Sequence, residues 1–215
     1  FTLRCKVYFM NPNWAEENIQ VIRTLMERST VYRRALAPVM TATGIIGIAA
    51  ATLTCFVKIE TAPSFGLFWI GVAAIALVVS FLFVRRQALK SDEPFWSSPT
   101  RRVTQALLPG FFIGFVAGVL CVTRFAPEGV WMLPLIWAFA YGCAIHAAGF
   151  FMPRGMKLFG WSLIALAAIS LFGIQSLPDL QTAETAHYLM GTFFGILHLA
   201  YGVYLHSSEK GEHDP

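Results

Sequence analysis

Six stretches of this chain, each 17 to 23 residues long, contain no Asp, Glu, Lys or Arg: 35–57, 62–84, 106–122, 130–151, 158–175 and 185–205. An α-helix rises about 1.5 Å per residue and the hydrocarbon layer of a bilayer is about 30 Å thick, so each run suits a membrane span. In lipid every backbone N–H and C=O must be satisfied within the segment. The runs are too long for barrel strands and lack period-two alternation, which leaves helices. Charged residues make up 13% of the chain, against about 25% in soluble domains. The pattern predicts one polytopic all-α domain, since nothing outside the runs is large enough to bury a second core.

The basic residues divide unevenly among the connections. With the N-terminus placed in the cytoplasm, fourteen of the sixteen fall on the inner side, and only Lys58 and Arg124 fall outside. The acidic residues divide eight to four. This is a positive-inside pattern that predicts cytoplasmic termini at both ends. It also accounts for the basic pI of about 9.0 without a nucleic-acid partner.

About thirty polar or mixed residues precede the first run, which is not the layout of a cleavable signal peptide. The first residue is Phe1, and Met10 is the expected natural start. Segment 1–34 is read as cytoplasmic. Within it, Asn13 and Glu16 resemble a helix cap and its reciprocal partner, opening an amphipathic helix over 14–33. That helix is read as a leader into the first span, or else as a docking surface. Pro38 sits in the first turn of the first span, where its missing donor costs little. Residues 100–108 are expected to begin as an interfacial helix that Pro109 bends into the third span, and the tail 207–215 is expected to be disordered. Trp69, Trp131 and Trp161 fall near span ends, as an aromatic belt requires. Cys55 and Cys121 lie near the outer ends of the first and third spans and are read as small apolar residues rather than a disulfide. Tyr141-Gly142 with His146 echoes Tyr201-Gly202 with His206, a faint repeat.

Gly110, Gly114 and Gly118 recur every fourth residue. Gly44 and Gly47 on the first span, and Gly191 and Gly195 on the last, form similar stripes. In lipid, burying apolar side chains against each other gains little, and small residues let helix backbones approach. The stripes are therefore packing faces, within the bundle or between two copies of the chain.

Histidines are the only candidates for chemistry inside the spans. By helical rise, His146 and His198 sit at similar depth, about 8–11 Å from the inner boundary. Small residues flank both at helical spacing, with Tyr141 and Gly142 near the first and Gly195 near the second. The default reading is a hydrogen bond to a Ser, Thr or carbonyl on a neighbouring helix, worth about 1 kcal/mol. One alternative is a pocket for a small apolar or weakly polar molecule around His146, His198, Tyr141, Gly142 and Gly195. A second is b-type haem held between the two imidazoles, which requires the two faces to oppose each other. His187 and His206, nearer the span ends, are expected to be solvated. No catalytic residue, metal cluster, nucleophile–base pair or phosphate loop is read from the sequence.

Two blocks resemble those of bacterial integral membrane proteins with about six spans. One is Glu27-Arg28-Ser29-Thr30-Val31-Tyr32-Arg33-Arg34-Ala35-Leu36-Ala37-Pro38. The other runs from His146-Ala147-Ala148-Gly149-Phe150-Phe151-Met152-Pro153-Arg154-Gly155 to Gly160-Trp161. Together they cover about a tenth of the chain. The resemblance implies a bacterial inner-membrane location and brings no activity with it. The combined expectation is a six-helix membrane bundle over 35–206, non-enzymatic and acting as a structural or regulatory partner. Arg23, Arg28, Arg85, Arg86, Arg101 and Arg102 would face anionic lipid or a cytosolic protein.

Overall fold

The computed structural model describes residues 19, 35–90, 95–96, 98–124, 129–152 and 155–210. The expected amphipathic helix over 14–33 lies outside them except for the exposed, helical Ile19, as do residues 211–215. The described residues form helices and turns and contain no strand. We number the helices α1 (Ala35–Thr54), α2 (Ala62–Lys90), α3 (Ser98–Arg124), α4 (Met132–Ala148), α5 (Gly155–Gln175), α6 (Ala183–Met190) and α7 (Leu197–Lys210). A π-helical segment, Gly191–Ile196, joins α6 to α7 in one continuous rod. Counting that rod once, five helices are long and apolar enough to cross a membrane; α4 is apolar but shorter, at 17 residues. These features support a multi-pass membrane protein.

Several boundaries differ from the sequence reading. α2 continues six residues past Val84 and carries Arg85, Arg86 and Lys90 on its last turns. Charge marks where a helix leaves apolar surroundings, not where its hydrogen bonds stop. α3 is a single helix from Ser98 that passes through Pro109, so the 100–108 segment does run on into the third span. A proline costs one backbone bond, and membrane helices tolerate that when neighbours compensate. α7 runs on to Lys210, so the tail is helical for four residues beyond 206. Trp69 and Trp131 are core residues rather than belt residues, while Trp161 is 56% exposed.

Glycine contacts fix the packing. Gly110 lies against Ala140 and Ala144, and Gly118 against Trp137 and Ile70, so α3 runs antiparallel to α4. Gly142 meets Gly160 and Ile164, and Gly149 meets Lys157, so α4 runs antiparallel to α5. Gly44 abuts Leu199, Gly47 abuts Phe194 and Gly195, Gly191 abuts Ala51 and Gly202 abuts Thr41, so α1 runs antiparallel to the last rod. Each stripe glycine thus meets another helix of the same chain. α4 lies at the centre, packed on α3 and α5 and touching α6.

Antiparallel packing sorts the connections to two ends of the bundle. One end holds Arg85, Arg86, Lys90, Arg101, Arg102 and Lys157; the other holds Lys58 and Arg124. There are two apolar cores, one running the length of the bundle and one confined to the Lys58 and Arg124 end. The first joins Leu36 and Met40 to Leu135, Phe159, Leu163 and Phe193. The second joins Ala50, Phe65, Trp69, Cys121, Leu133 and Met190.

Candidate functional site

The last rod carries both fully partnered histidines. Thr182 starts it: its Oγ1 accepts the Thr185 backbone N–H at 3.2 Å, satisfying one of the free donors of the first turn. Thr61 plays the same part for α2, accepting the Ser64 N–H at 3.3 Å. These caps set the register that brings Trp69 of α2 against His187 of α6.

His187 is buried, contrary to its expected solvation. Trp69 Nε1–H donates to His187 Nδ1 at 3.0 Å, and His187 Nε2 is 3.0 Å from the Ile59 carbonyl. Phe65 and Phe68 pack on the ring, with centroids 4.7 and 6.4 Å away. Proximity to a helix end had suggested water, but loop 55–61 folds over the ring. Cys121, also buried, points its thiol at the Ala62 carbonyl, 3.6 Å away. It is free, as is the exposed Cys55. His206 is exposed.

Farther along the rod, the π-helical turn gives His198 its partner. A π turn closes i→i+5 bonds; here the Leu197 N–H reaches the Thr192 carbonyl. His198 Nδ1 then lies 2.9 Å from the Phe193 carbonyl and Nε2 lies 3.0 Å from the Tyr141 hydroxyl. A carbonyl only accepts, so Nδ1 carries the hydrogen and Tyr141 O–H donates to Nε2. His198 has no exposed surface. Its ring stacks on Tyr141 at 5.4 Å and on Phe194 at 5.9 Å, and meets the edge of Phe159 at 5.0 Å. Phe111 of α3 also stacks on Tyr141, at 6.0 Å.

His146 belongs to a different set. Nδ1 is 3.4 Å from the Lys157 carbonyl, and the ring meets Phe150 and Trp161 edge-on, each at 5.6 Å. Lys157 Nζ lies 3.7 Å above the Phe150 ring. The two histidines are level along the bundle, since Gly160 of α5 touches the His146 backbone and Phe159 touches His198. They nevertheless engage α5 through Trp161 and Phe159, two residues and about 200° apart around that helix. The structure brings Tyr141 to His198 and does not bring His146 to either. Gly142 and Gly195 sit at helix crossings, against α5 and α1 respectively.

The hydroxyls read as histidine partners serve their own helices instead. Thr41, Thr52 and Thr192 donate to the carbonyls four residues back, and Ser162 to that three back. The actual partners of His187, His198 and His146 are an indole, a phenol and three carbonyls. A carbonyl on a neighbouring helix, as at His146, is what the sequence leads one to expect; the indole and the phenol are not. Tyr201 stacks on Phe159 at 4.7 Å, beside the ring that Tyr141 holds. The Tyr201 hydroxyl is buried next to Gly155 and has no hydrogen-bond partner among the described residues. Among the described residues, no group of three or more His, Cys, Asp or Glu side chains could hold a metal.

Comparison of the chain with family models, curated proteins and solved structures gave no match.

Proposed function

We propose that this chain is a non-enzymatic, six-span protein of the bacterial inner membrane, with both termini cytoplasmic, serving as a structural or regulatory partner there. The observation that carries this reading is how the buried polar side chains are used. His187 commits both ring nitrogens to other elements, and His198 commits one to Tyr141 of α4 and the other to the Phe193 carbonyl of its own rod. Such bonds in a membrane protein are worth about 1 kcal/mol each and hold geometry. The end bearing Arg85, Arg86, Lys90, Arg101 and Arg102 faces the cytoplasm and meets anionic lipid head groups, at about 1 kcal/mol per cation near the surface. Phe95 and Trp96 support that placement: they stack at 6.5 Å, and Phe95 meets Phe81 of α2 at 5.1 Å, an aromatic cluster beside the arginines.

Native mass spectrometry of the purified protein tests the lipid contact. Arg85, Arg86, Arg101 and Arg102 replaced together by Gln should lose retained phosphatidylglycerol but keep phosphatidylcholine. Equal retention of both lipids by wild type and variant contradicts it. Deletion of 14–28 should abolish co-purification of a cytosolic protein partner and leave insertion unchanged.

A second reading, a binder of a small weakly polar molecule near His198, draws support from the unpartnered Tyr201 hydroxyl. A hydrogen-bond acceptor such as a quinone-like carbonyl would satisfy it. Tyr201→Phe should then reduce ligand recovered from the purified protein, whereas a purely structural tyrosine would leave it unchanged. A bis-histidine haem does not fit this arrangement, because both His198 nitrogens are engaged and His146 lies on another face of α5. A Soret band in protein expressed with adequate haem would overturn that exclusion.

A further inference from the structure

At the end of the bundle opposite the arginine cluster, one imidazole joins three elements and does so in a single protonation state. The Trp69 indole nitrogen can only donate, so His187 Nδ1, 3.0 Å away, must be unprotonated. The Ile59 carbonyl can only accept, so Nε2 must carry the hydrogen. An imidazolium carries hydrogens on both nitrogens and would set two N–H groups head to head across the Trp69 contact. Trp69 has no room to turn away. It is 1% exposed and packed by Phe65 at 6.4 Å and Phe68 at 5.3 Å. A protonated ring therefore keeps its bond to Ile59 only by separating from the indole.

His187 lies in the second turn after the Thr182 cap and is 7% exposed, so protons from that aqueous side can reach it. Among the described residues, the charged and titratable groups of the surrounding elements are few. Lys58 and Glu60 flank Ile59 in the loop, and Cys55 ends α1. On α6, the Glu184 carboxylate accepts the Tyr188 hydroxyl at 3.0 Å. α3 offers the Cys121 thiol and terminal Arg124, while α2 presents only Phe65, Phe68 and Trp69 to the ring.

We propose that this corner is an acid-sensitive latch: protonation of His187 breaks its bond with Trp69 and frees loop 55–61 and the first turns of α2 from α6. The switch is local, since the second histidine pair, His198 with Tyr141, lies about three turns farther along the rod and is closed to water.

Hydrogen-exchange mass spectrometry on the full chain in nanodiscs tests it, at about pH 8 and about pH 5, bracketing ordinary histidine titration, with intrinsic rates corrected. Peptides over 55–70 and 183–190 should lose protection by about tenfold or more at the lower pH, as one unit of linked titration produces. Peptides over 138–148 should be unchanged. His187→Gln keeps one donor and one acceptor without titrating, so it should stay protected at both pH values. Trp69→Phe removes the opposing donor and should also shrink the acid response. Equal protection of the wild type at both pH values overturns the latch. So does an acid response that His187→Gln retains in full, or one spread evenly over all peptides.

Discussion

α4 and α2 are both uninterrupted apolar helices, yet they meet opposite surroundings. In α4, nine residues are buried, spread from Leu133 to Ala148. In α2, the buried residues are Ala62, Phe65, Gly66 and Trp69, all in the first two turns, and none follows over the next twenty-one positions. Hydrophobicity does not separate these cases, because lipid tails are as apolar as a protein core. Small residues do. Ala138, Ala140, Gly142, Ala144 and Ala148 let three neighbours close on α4, whereas α2 presents Ile75, Leu77, Val78, Phe81 and Leu82 outward. In a bilayer, a helix is central because it lacks side chains where others must approach.

Four pairs of substitutions sharpen that contrast, each read as thermal or denaturant unfolding in one detergent. The largest difference is expected between Leu163→Ala, in the core beside α4, and Leu77→Ala on α2. Leu163 is fully buried, so its removal should cost about 2–5 kcal/mol, and the exposed site under about 0.5 kcal/mol. Next come two identical changes of opposite expected sign. A Cβ at Gly160 would lie 2.7 Å from the His146 backbone nitrogen and 2.8 Å from the Gly142 carbonyl, while at Gly71 nothing lies within 4 Å. Gly160→Ala should therefore destabilise by about 1–3 kcal/mol. Gly71→Ala should be neutral, or stabilising by up to about 1 kcal/mol through helix propensity. Tyr141→Phe should cost about 1–2 kcal/mol, because it leaves His198 Nε2 buried without a donor. Its counterpart Tyr188→Phe, whose hydroxyl is exposed, should cost less than about 0.5 kcal/mol. The smallest expected difference is between Phe81→Leu and Ile75→Leu on α2. Only Phe81 has an aromatic partner, Phe95, and that pair is worth about 0.5–1 kcal/mol. Equal losses at Gly160 and Gly71 would break the distinction between a central and a peripheral helix.

The rods were legible in the sequence because lipid forbids charge and unsatisfied backbone, and both rules act on neighbouring residues. Gly110, Gly114 and Gly118 were readable for the same reason, since small residues at every fourth position need no long-range knowledge. The partners of those faces were not, because a spacing says that something approaches and not which helix. The π turn at Gly191–Ile196 has no periodic signature, and it decides that His198 reaches Phe193. His187 was misjudged because its distance from a helix end says nothing of a loop folding back over it. The helical extension through Arg85 and Arg86 has no apolar signature, because charge ends the apolar run and not the backbone hydrogen bonds.

Alternation of the helices between two ends, with the arginines on the cytoplasmic side, is tested most directly by impermeant thiol labelling of intact cells. Single cysteines would be placed at Glu60, Gln181, Lys90, Lys157 and Ser208 in a chain lacking its four native cysteines. Labelling at positions 60 and 181, with protection of 90, 157 and 208 until the cells are permeabilised, is the expected result. Labelling of 90 and 157 from opposite sides of the membrane would contradict the arrangement.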